Sequence, residues 1–191
     1  NMDNYFLAKA KLFSKSRSFQ GPALINLDHF YGRLMKLIAE NNGLKVFSVG
    51  KLSGCDFRLE KQVLQSNGQF ISVRYSNKTY KSNLNLIGSF QGENVLMAAA
   101  LAIMAGSNPV DVFSTLPNLS PAKGRLELVK EMKNGAKIFV DYAHSPEALV
   151  QVLSALKPHT SGFLSLVFGA GGEREKKGKE KIVGLGIPRF L

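Results

Sequence analysis

The sequence contains few of the cysteines and histidines that stabilise small secreted proteins through disulfides and zinc domains through metal ligation. It has one cysteine, Cys55, and no tryptophan in 191 residues, so it cannot form an internal disulfide. The histidines His29, His144 and His159 are far apart, and neither a Cys-x-x-Cys nor a His-Glu-x-x-His segment occurs, so protein-ligated zinc is not expected. A single free thiol fits a reducing compartment, and we expect a cytoplasmic protein.

Long apolar segments are missing as well. No run approaches the roughly 18 residues of a membrane span, and the most apolar stretch, Leu96 to Ala105, has the length of a core helix. A charged and then apolar leader is absent, so neither a secretion signal nor a membrane partner is expected. The first residue is Asn1 and not Met, which suggests a piece of a longer protein.

Acidic residues are few, at 14 against 25 lysines and arginines, and the formal charge is +11. Such a chain attracts nucleic acid, anionic membranes or small anions such as nucleotides. Basic residues cluster only from Arg174 to Lys181, and no RNA-recognition, zinc-finger or helix-turn-helix signature accompanies them. We therefore expect small anions and not nucleic acid as partners, and a monomer.

The periodicity of the chain predicts an α/β protein. A strand at Ala23 to Asn26, a helix at His29 to Glu40 capped by Asp28 and a strand at Leu44 to Val49 form a βαβ unit. Short alternating segments around Ser66-Asn67-Gly68 then predict a small antiparallel sheet.

The second half of the chain predicts a separate α/β unit. The irregular segment Pro117 to Lys123 is the expected interdomain linker. Before this linker, helices are expected at Glu93 to Ala105 and Pro109 to Leu116. Beyond it, a helix is expected at Glu147 to Leu156 and strands at Arg125 to Lys130, Ile138 to Asp141 and Phe163 to Phe168.

Polar residues follow the predicted strand at Ile138. Asp141 and His144 lie at its carboxyl end, just before Ser145 and Pro146 begin a helix, and ligands bind at such edges of α/β sheets. An ordinary turn explains this stretch equally well. The glycines at 169–172 lack the GxGxxG spacing, and GxxxxGK[ST] is absent. Arg174, after those glycines, could grip a carboxylate through two hydrogen bonds.

Five segments in order resemble the ATP-dependent Mur ligases, and the similarity extends from Tyr5 to about Lys179. They are Tyr5-Phe6-Leu7-Ala8-Lys9, Gly88-Ser89-Phe90-Gln91-Gly92-Glu93-Asn94, Gly124-Arg125-Leu126-Glu127, Val140 to Leu149, and Val167 to Arg174. The resemblance implies the second half of a P-loop-type central ATPase domain at 1–120 and the start of a Rossmann-like C-terminal domain at 121–179. A divergent tail occupies 180–191.

The resemblance also implies a reaction. Within the family, the pattern is most similar to enzymes that add diaminopimelate or lysine to UDP-MurNAc-L-Ala-D-Glu in peptidoglycan synthesis, through an acyl phosphate, with ATP and Mg²⁺. The family's phosphate loop is absent, so we expect no activity from this chain alone. Two alternatives stay open: a non-catalytic remnant that binds nucleotide or nucleic acid, and a folylpolyglutamate-type amide ligase.

The same resemblance implies roles for individual residues. Lys9 matches a carbamylated lysine that binds magnesium, Asn94 an asparagine near adenine, and Arg125 an arginine near the ATP phosphates. Asp141 and His144 match residues near the ribose and the base, and Tyr142 is expected only to pack. Arg174 matches the arginine that binds the carboxylate of the incoming amino acid.

This sequence departs from the family pattern at several positions. Gln91 stands where Asn is common, and Glu173 and Glu175 replace aspartates. The family continues after the lysines with Arg-Pro and a helix, and the segment from Gly178 to Pro188 does not follow that pattern. A frameshift or premature stop would produce such a tail, which puts the native fold after Arg174 in question.

Overall fold

A computed structural model describes residues 2–14 and 21–168. Its strands are β1 (Ala23–Asn26), β2 (Val46–Gly50), β3 (Phe57–Gln65), β4 (Gly68–Tyr75), β5 (Lys78–Leu84), β6 (Glu127–Glu131) and β7 (Lys137–Val140). Its α-helices are α1 (Met2–Ala10), α2 (Phe30–Asn41), α3 (Ser89–Met104), α4 (Pro109–Thr115) and α5 (Pro146–Leu156). Short 3₁₀ helices follow α1, α4 and α5. The α/β class predicted from the sequence is confirmed.

The predicted βαβ unit and the predicted antiparallel sheet are parts of one five-stranded sheet in the described chain, ordered β1-β2-β3-β4-β5. The pairs β1–β2 and β2–β3 are parallel, whereas the pairs β3–β4 and β4–β5 are antiparallel. Ser66 and Asn67 form the turn between β3 and β4, as the sequence predicts. All the strands described before the linker therefore belong to a single mixed sheet.

Both faces of the sheet are covered at β1 and β2, where α2 packs on one side and the main core lies on the other. Ala23 and Ile25 pack in a cluster with Ala39 of α2, and Leu24, which points to the opposite face, packs against the main core. That core joins Phe57, Ile71 and other strand residues to one side of α3. The α3 residues buried there are Val95, Leu96, Ala99, Ala100 and Ile103. The main core thus fixes α3 across the sheet.

The unit after the linker is smaller. Its described residues, up to 168, contain the antiparallel pair β6–β7, helix α5 and the short 3₁₀ helix after α5. Ser145 caps α5 by accepting a hydrogen bond at Oγ from the backbone N–H of Ala148 (3.2 Å), as predicted from Ser145 and Pro146. Leu126 and Leu156 pack with Ile87, which precedes α3, so an apolar cluster joins the two units.

Three local predictions are wrong. Residues 163–168 form no strand, and the side chain of Val167 is 98% exposed, because no other described strand pairs with this apolar segment. Asp28 does not cap α2: His29 occupies the N-cap, and Asp28 Oδ1 accepts from the backbone N–H of Lys51 (2.7 Å). Helix α3 begins at Ser89, four residues earlier than Glu93, because Gly88 is its N-cap.

Candidate functional site

A cleft of about 900 Å³ lies between α3 and α5. One wall is a face of α3 that includes Phe90, Gln91 and Asn94, and the other is α5 with Gln151. The linker segment 119–122 also lines it. The volume is within the roughly 300–1,000 Å³ range of small-molecule and cofactor sites.

The cleft brings together three of the predicted site residues. Asn94, Arg125 and Asp141 all line it, although they come from α3, from the segment before β6 and from the end of β7. Arg125 and Asp141 are the only charged residues among those lining it in the described chain. His144 does not line the cleft, but its neighbour Ala143 does.

The segment that leads into α3 is held by two glutamines of the sheet. Gln69, a fully buried residue of β4, donates from Nε2 to the carbonyls of Leu86 and Gly88, both at 3.0 Å. Gln62 of β3 donates from Nε2 to Gln69 Oε1 and to the carbonyl of Ser89, both at 2.6 Å. Because buried amides are costly when unpaired, this network fixes the start of the helix that carries Asn94.

On the side of the cleft opposite α3, Asp141 connects the segment before β6 to the segment after β7. Its Oδ2 accepts from the backbone N–H of Leu126 (2.9 Å), and its Oδ1 accepts from the backbone N–H of Ala143 (2.8 Å). Leu126 has a φ of 45° and Gly124 a φ of 66°, both in the left-handed region. The carboxylate thus stabilises an otherwise unfavourable turn that presents Arg125.

Arg125, Tyr142 and His144 form an exposed stack beside the cleft. The guanidinium of Arg125 lies 5.8 Å from the centroid of the Tyr142 ring, and the Tyr142 and His144 rings meet edge to face at 5.4 Å. Tyr142 packs against these two side chains and not in the core, since its side chain is 69% exposed. Its ring restrains the cation of Arg125 instead.

Lys9 lies outside this cleft. It is in the last turn of α1, exposed, with its ammonium 5.4 Å from the centroid of the Tyr5 ring. No cluster of three or more His, Cys, Asp or Glu side chains suited to a metal occurs in residues 2–14 and 21–168. Within the described residues, a carbamylated Lys9 would therefore need magnesium ligands other than such a cluster.

Several predicted features lie outside the described residues. They are Arg174, Glu173, Glu175, the glycines at 169–172 and the divergent tail. Within the described part of the chain, none of the helices has both the length and the apolar character needed to cross a membrane.

Among residues 2–14 and 21–168, two side chains have clearly shifted pKa values, and both lie away from the cleft. Burial raises the pKa of the Cys55 thiol, and the nearby charge of Asp28 adds to this. The hydrogen bond that Tyr31 donates to Asp3 (3.0 Å) raises the pKa of that phenol. Neither group supplies acid–base chemistry to the cleft.

Sequence reasoning missed Gln62, Gln69 and His159. Gln69 had a weak signal, because it is an amide directly before the apolar pair Phe70 and Ile71 of strand β4. His159 had no signal in the sequence, because its two hydrogen-bond partners lie 71 and 94 residues away.

Comparisons with known proteins agree with the arrangement of two units. Residues 1–102 match the Mur ligase middle domain, and residues 124–186 match the Mur ligase, glutamate ligase domain. The chain is 42% identical over 184 residues to the UDP-N-acetylmuramoyl-L-alanyl-D-glutamate–2,6-diaminopimelate ligase of Bradyrhizobium diazoefficiens, covering 95% of this chain and 38% of the relative. It is 37% identical over 175 residues to the same-named ligase of Zymomonas mobilis, covering 92% of this chain and 36% of the relative.

Solved structures show the same relationship. A structure of a UDP-N-acetylmuramoyl-L-alanyl-D-glutamate–2,6-diaminopimelate ligase superposes with a TM-score of 0.73 at 30% identity, covering 96% of this chain and 38% of that one. Folylpolyglutamate synthetase from Lactobacillus casei superposes with a TM-score of 0.64 at 19% identity, covering 82% of this chain and 40% of that one, which shows a shared fold only. The chain spans less than two-fifths of the length of the two curated relatives.

Proposed function

The chain belongs to the Mur ligase family, and we propose that it is part of an ATP-dependent ligase that joins diaminopimelate to UDP-MurNAc-L-Ala-D-Glu. The names of the relatives that are 37% and 42% identical support diaminopimelate over lysine. The fold shared with a folylpolyglutamate synthetase at 19% identity gives no comparable support for that alternative.

The observation that carries this proposal is the cleft between the two units. The cleft has a volume of about 900 Å³ and is lined by an amide (Asn94), a cation (Arg125) and a carboxylate (Asp141), which come from three segments distant in sequence. One planar hydrogen-bonding group, one anion-binding group and one acceptor match the base, phosphates and ribose of a nucleotide.

Each residue has a defined part in this proposal. When bound, ATP supplies the phosphoryl group that activates the carboxylate of the substrate. The side-chain amide of Asn94 offers a donor and an acceptor to the adenine edge, and Arg125 offers a planar cation to phosphate oxygens. Asp141 keeps free lone pairs on both oxygens for ribose hydroxyls while holding the Arg125 turn. His144 is assigned to the base only by the family resemblance, since its neighbour Ala143, and not His144 itself, lines the cleft.

The remaining predicted roles belong to the same proposal. Lys9 contributes a carbamate to a magnesium site whose other ligands lie outside the described residues, and Arg174 binds the carboxylate of diaminopimelate. The ligase acts as a cytoplasmic monomer, and its basic charge serves anionic substrates rather than nucleic acid.

A chimera tests the proposal. Residues 1–168 of this chain replace the matching stretch of the Bradyrhizobium diazoefficiens ligase, and phosphate release is measured with ATP, UDP-MurNAc-L-Ala-D-Glu and diaminopimelate. We expect turnover that depends on all three substrates. The 191-residue chain alone should release no phosphate above background, because its sequence contains no GxxxxGK[ST] loop.

Variants of the chimera locate the nucleotide. Asn94→Ala should raise the KM for ATP by about tenfold, the equivalent of one or two lost hydrogen bonds. Asn83→Ala, on an exposed position of β5, is the matched control and should leave the KM unchanged. A folded chimera without turnover, or an Asn94→Ala variant with the KM of the control, would contradict the proposal.

A further inference from the structure

His159 makes two hydrogen bonds across the boundary between the units. It lies in the 3₁₀ helix Lys157–His159, directly after α5. Its Nε2 accepts from the backbone N–H of Gly88 (3.0 Å), and its Nδ1 contacts the carbonyl oxygen of Gln65. Gly88 is the N-cap of α3, and Gln65 is the last residue of β3.

These partners allow only one protonation state of the imidazole. A backbone N–H can only donate, so Nε2 must carry a lone pair, and a carbonyl can only accept, so Nδ1 must carry the proton. The ring is therefore neutral and in the Nδ1–H tautomer.

The bonds fasten the two walls of the cleft at one end. Gly88 leads into α3, which carries Asn94. His159 is the last residue of the 3₁₀ helix that follows α5, and α5 carries Gln151. The approach is close, since a Cβ added at Gly88 would lie 3.3 Å from Cβ of Ala155.

A second polar contact supports the same junction. Lys137 of β7 donates from Nζ to the carbonyl of Ser66 (3.2 Å) and to Oδ1 of Asn67. The turn between β3 and β4 is thus held from two elements of the second unit, by Lys137 and, through Gln65, by His159.

We propose that His159 is a positioning residue that fastens α5 to the start of α3 and thereby sets the width of the nucleotide cleft. It touches neither nucleotide nor reacting atoms, and it acts through Gly88 on the placement of Asn94. The statement about the nucleotide rests on the proposed function, whereas the junction itself does not.

The junction is tested on the 191-residue chain without any assay of activity. Nitrogen-15 NMR of the histidine rings at neutral pH should show His159 as the Nδ1–H tautomer. In His159→Phe, which keeps a ring but loses both bonds, the amide of Gly88 should exchange with solvent about tenfold faster. His29→Phe, at an exposed histidine without a side-chain hydrogen bond, is the matched control and should leave that amide unchanged.

The positioning role is tested in the chimeric ligase. His159→Phe should raise the KM for ATP by about three- to tenfold, as expected from one or two lost hydrogen bonds, with kcat changed by less than about twofold. His159→Gln, whose Oε1 can still accept from Gly88, should restore part of the affinity. A purely structural loss would lower kcat and the amount of folded enzyme instead.

Three results would overturn the inference. They are an Nε2–H tautomer of His159, an unchanged exchange rate of the Gly88 amide, and a KM for ATP that rises no more than in His29→Phe. If His159→Phe does not fold, the tautomer of the unsubstituted chain and His159→Gln decide. If the unsubstituted chimera is inactive, the proposed function fails, and the tautomer and exchange measurements still decide whether His159 fastens the units.

Discussion

Asp141 has an observed structural role and a proposed role in nucleotide binding, and a sequence motif alone does not separate the two. Its resemblance to the family places it near the ribose, whereas the structure shows both its oxygens accepting backbone N–H groups of Leu126 and Ala143. These bonds stabilise the left-handed turn at Gly124 and Leu126. A substitution at Asp141 therefore perturbs Arg125 even in the absence of nucleotide.

Stability measurements on the chain separate the two roles of Asp141. Asp141→Asn keeps one acceptor and should lower the free energy of unfolding less than Asp141→Ala does. Asp141→Ala leaves two backbone N–H groups unpaired, at about 1–3 kcal/mol each. Urea unfolding without nucleotide measures both variants. Glu131→Gln, on an exposed position of β6, is the control and should change stability by less than about 0.5 kcal/mol. Equal stability of all three variants would leave Asp141 with the ribose role alone.

Among the elements, α3 depends most on its neighbours in the sheet. Its first turn has no side-chain cap, and Gln62 and Gln69 instead hold the carbonyls that precede and begin it. Gly92 leaves the space for these amides, because a Cβ there would lie 2.5 Å from Gln62 Nε2 and 2.9 Å from Gln69 Oε1. The glycine in the first half of this helix is thus explained by close packing.

Gly92→Ala should destabilise the protein although alanine is the better helix former by about 1 kcal/mol. The added methyl group forces the glutamine pair apart, and we expect a net loss of roughly 1–2 kcal/mol on unfolding in urea. A double-mutant cycle with Gln62→Ala provides the control, since removing that side chain should make Gly92→Ala neutral or stabilising. An additive cycle would contradict the proposed contact.

Local sequence signals predicted some elements well and others not. The β3–β4 turn and the Ser145 cap of α5 were correct, because their determinants lie within a few residues. The strand expected at 163–168 is absent from the structure, since an apolar segment becomes a strand only when a neighbouring strand pairs with it. The early start of α3 depends on Gln69, which is distant in sequence.

At the scale of the whole molecule, the second unit depends on the first. Within the described residues, the pair β6–β7 with helix α5 is too small to bury a core of its own, and two-stranded sheets are marginal in water. Leu126 and Leu156 are buried together with Ile87, which belongs to the first unit. We therefore expect the second unit to unfold whenever this apolar contact is lost.

Ile87→Ala tests this dependence. The substitution should cost about 2–5 kcal/mol at a buried position and should make the amides of residues 126–156 exchange faster as a group. Ile103→Ala is the matched control, since Ile103 is about as buried but lies in the core between α3 and the sheet. It should destabilise the first unit by a similar amount. Equal effects of the two variants on residues 126–156 would show that the contact does not couple the units.

The sequence by itself determined the α/β class, the family resemblance and the identity of Asn94, Arg125 and Asp141, because these depend on local periodicity and on motifs of a few residues. Only the tertiary structure decided that these three line one cleft, that Asp141 supports the turn at Arg125, and that Gln62, Gln69 and His159 hold its walls. The reason is physical: each of these contacts joins groups from separate elements, and no local pattern records which backbone groups will need a partner once the chain has folded.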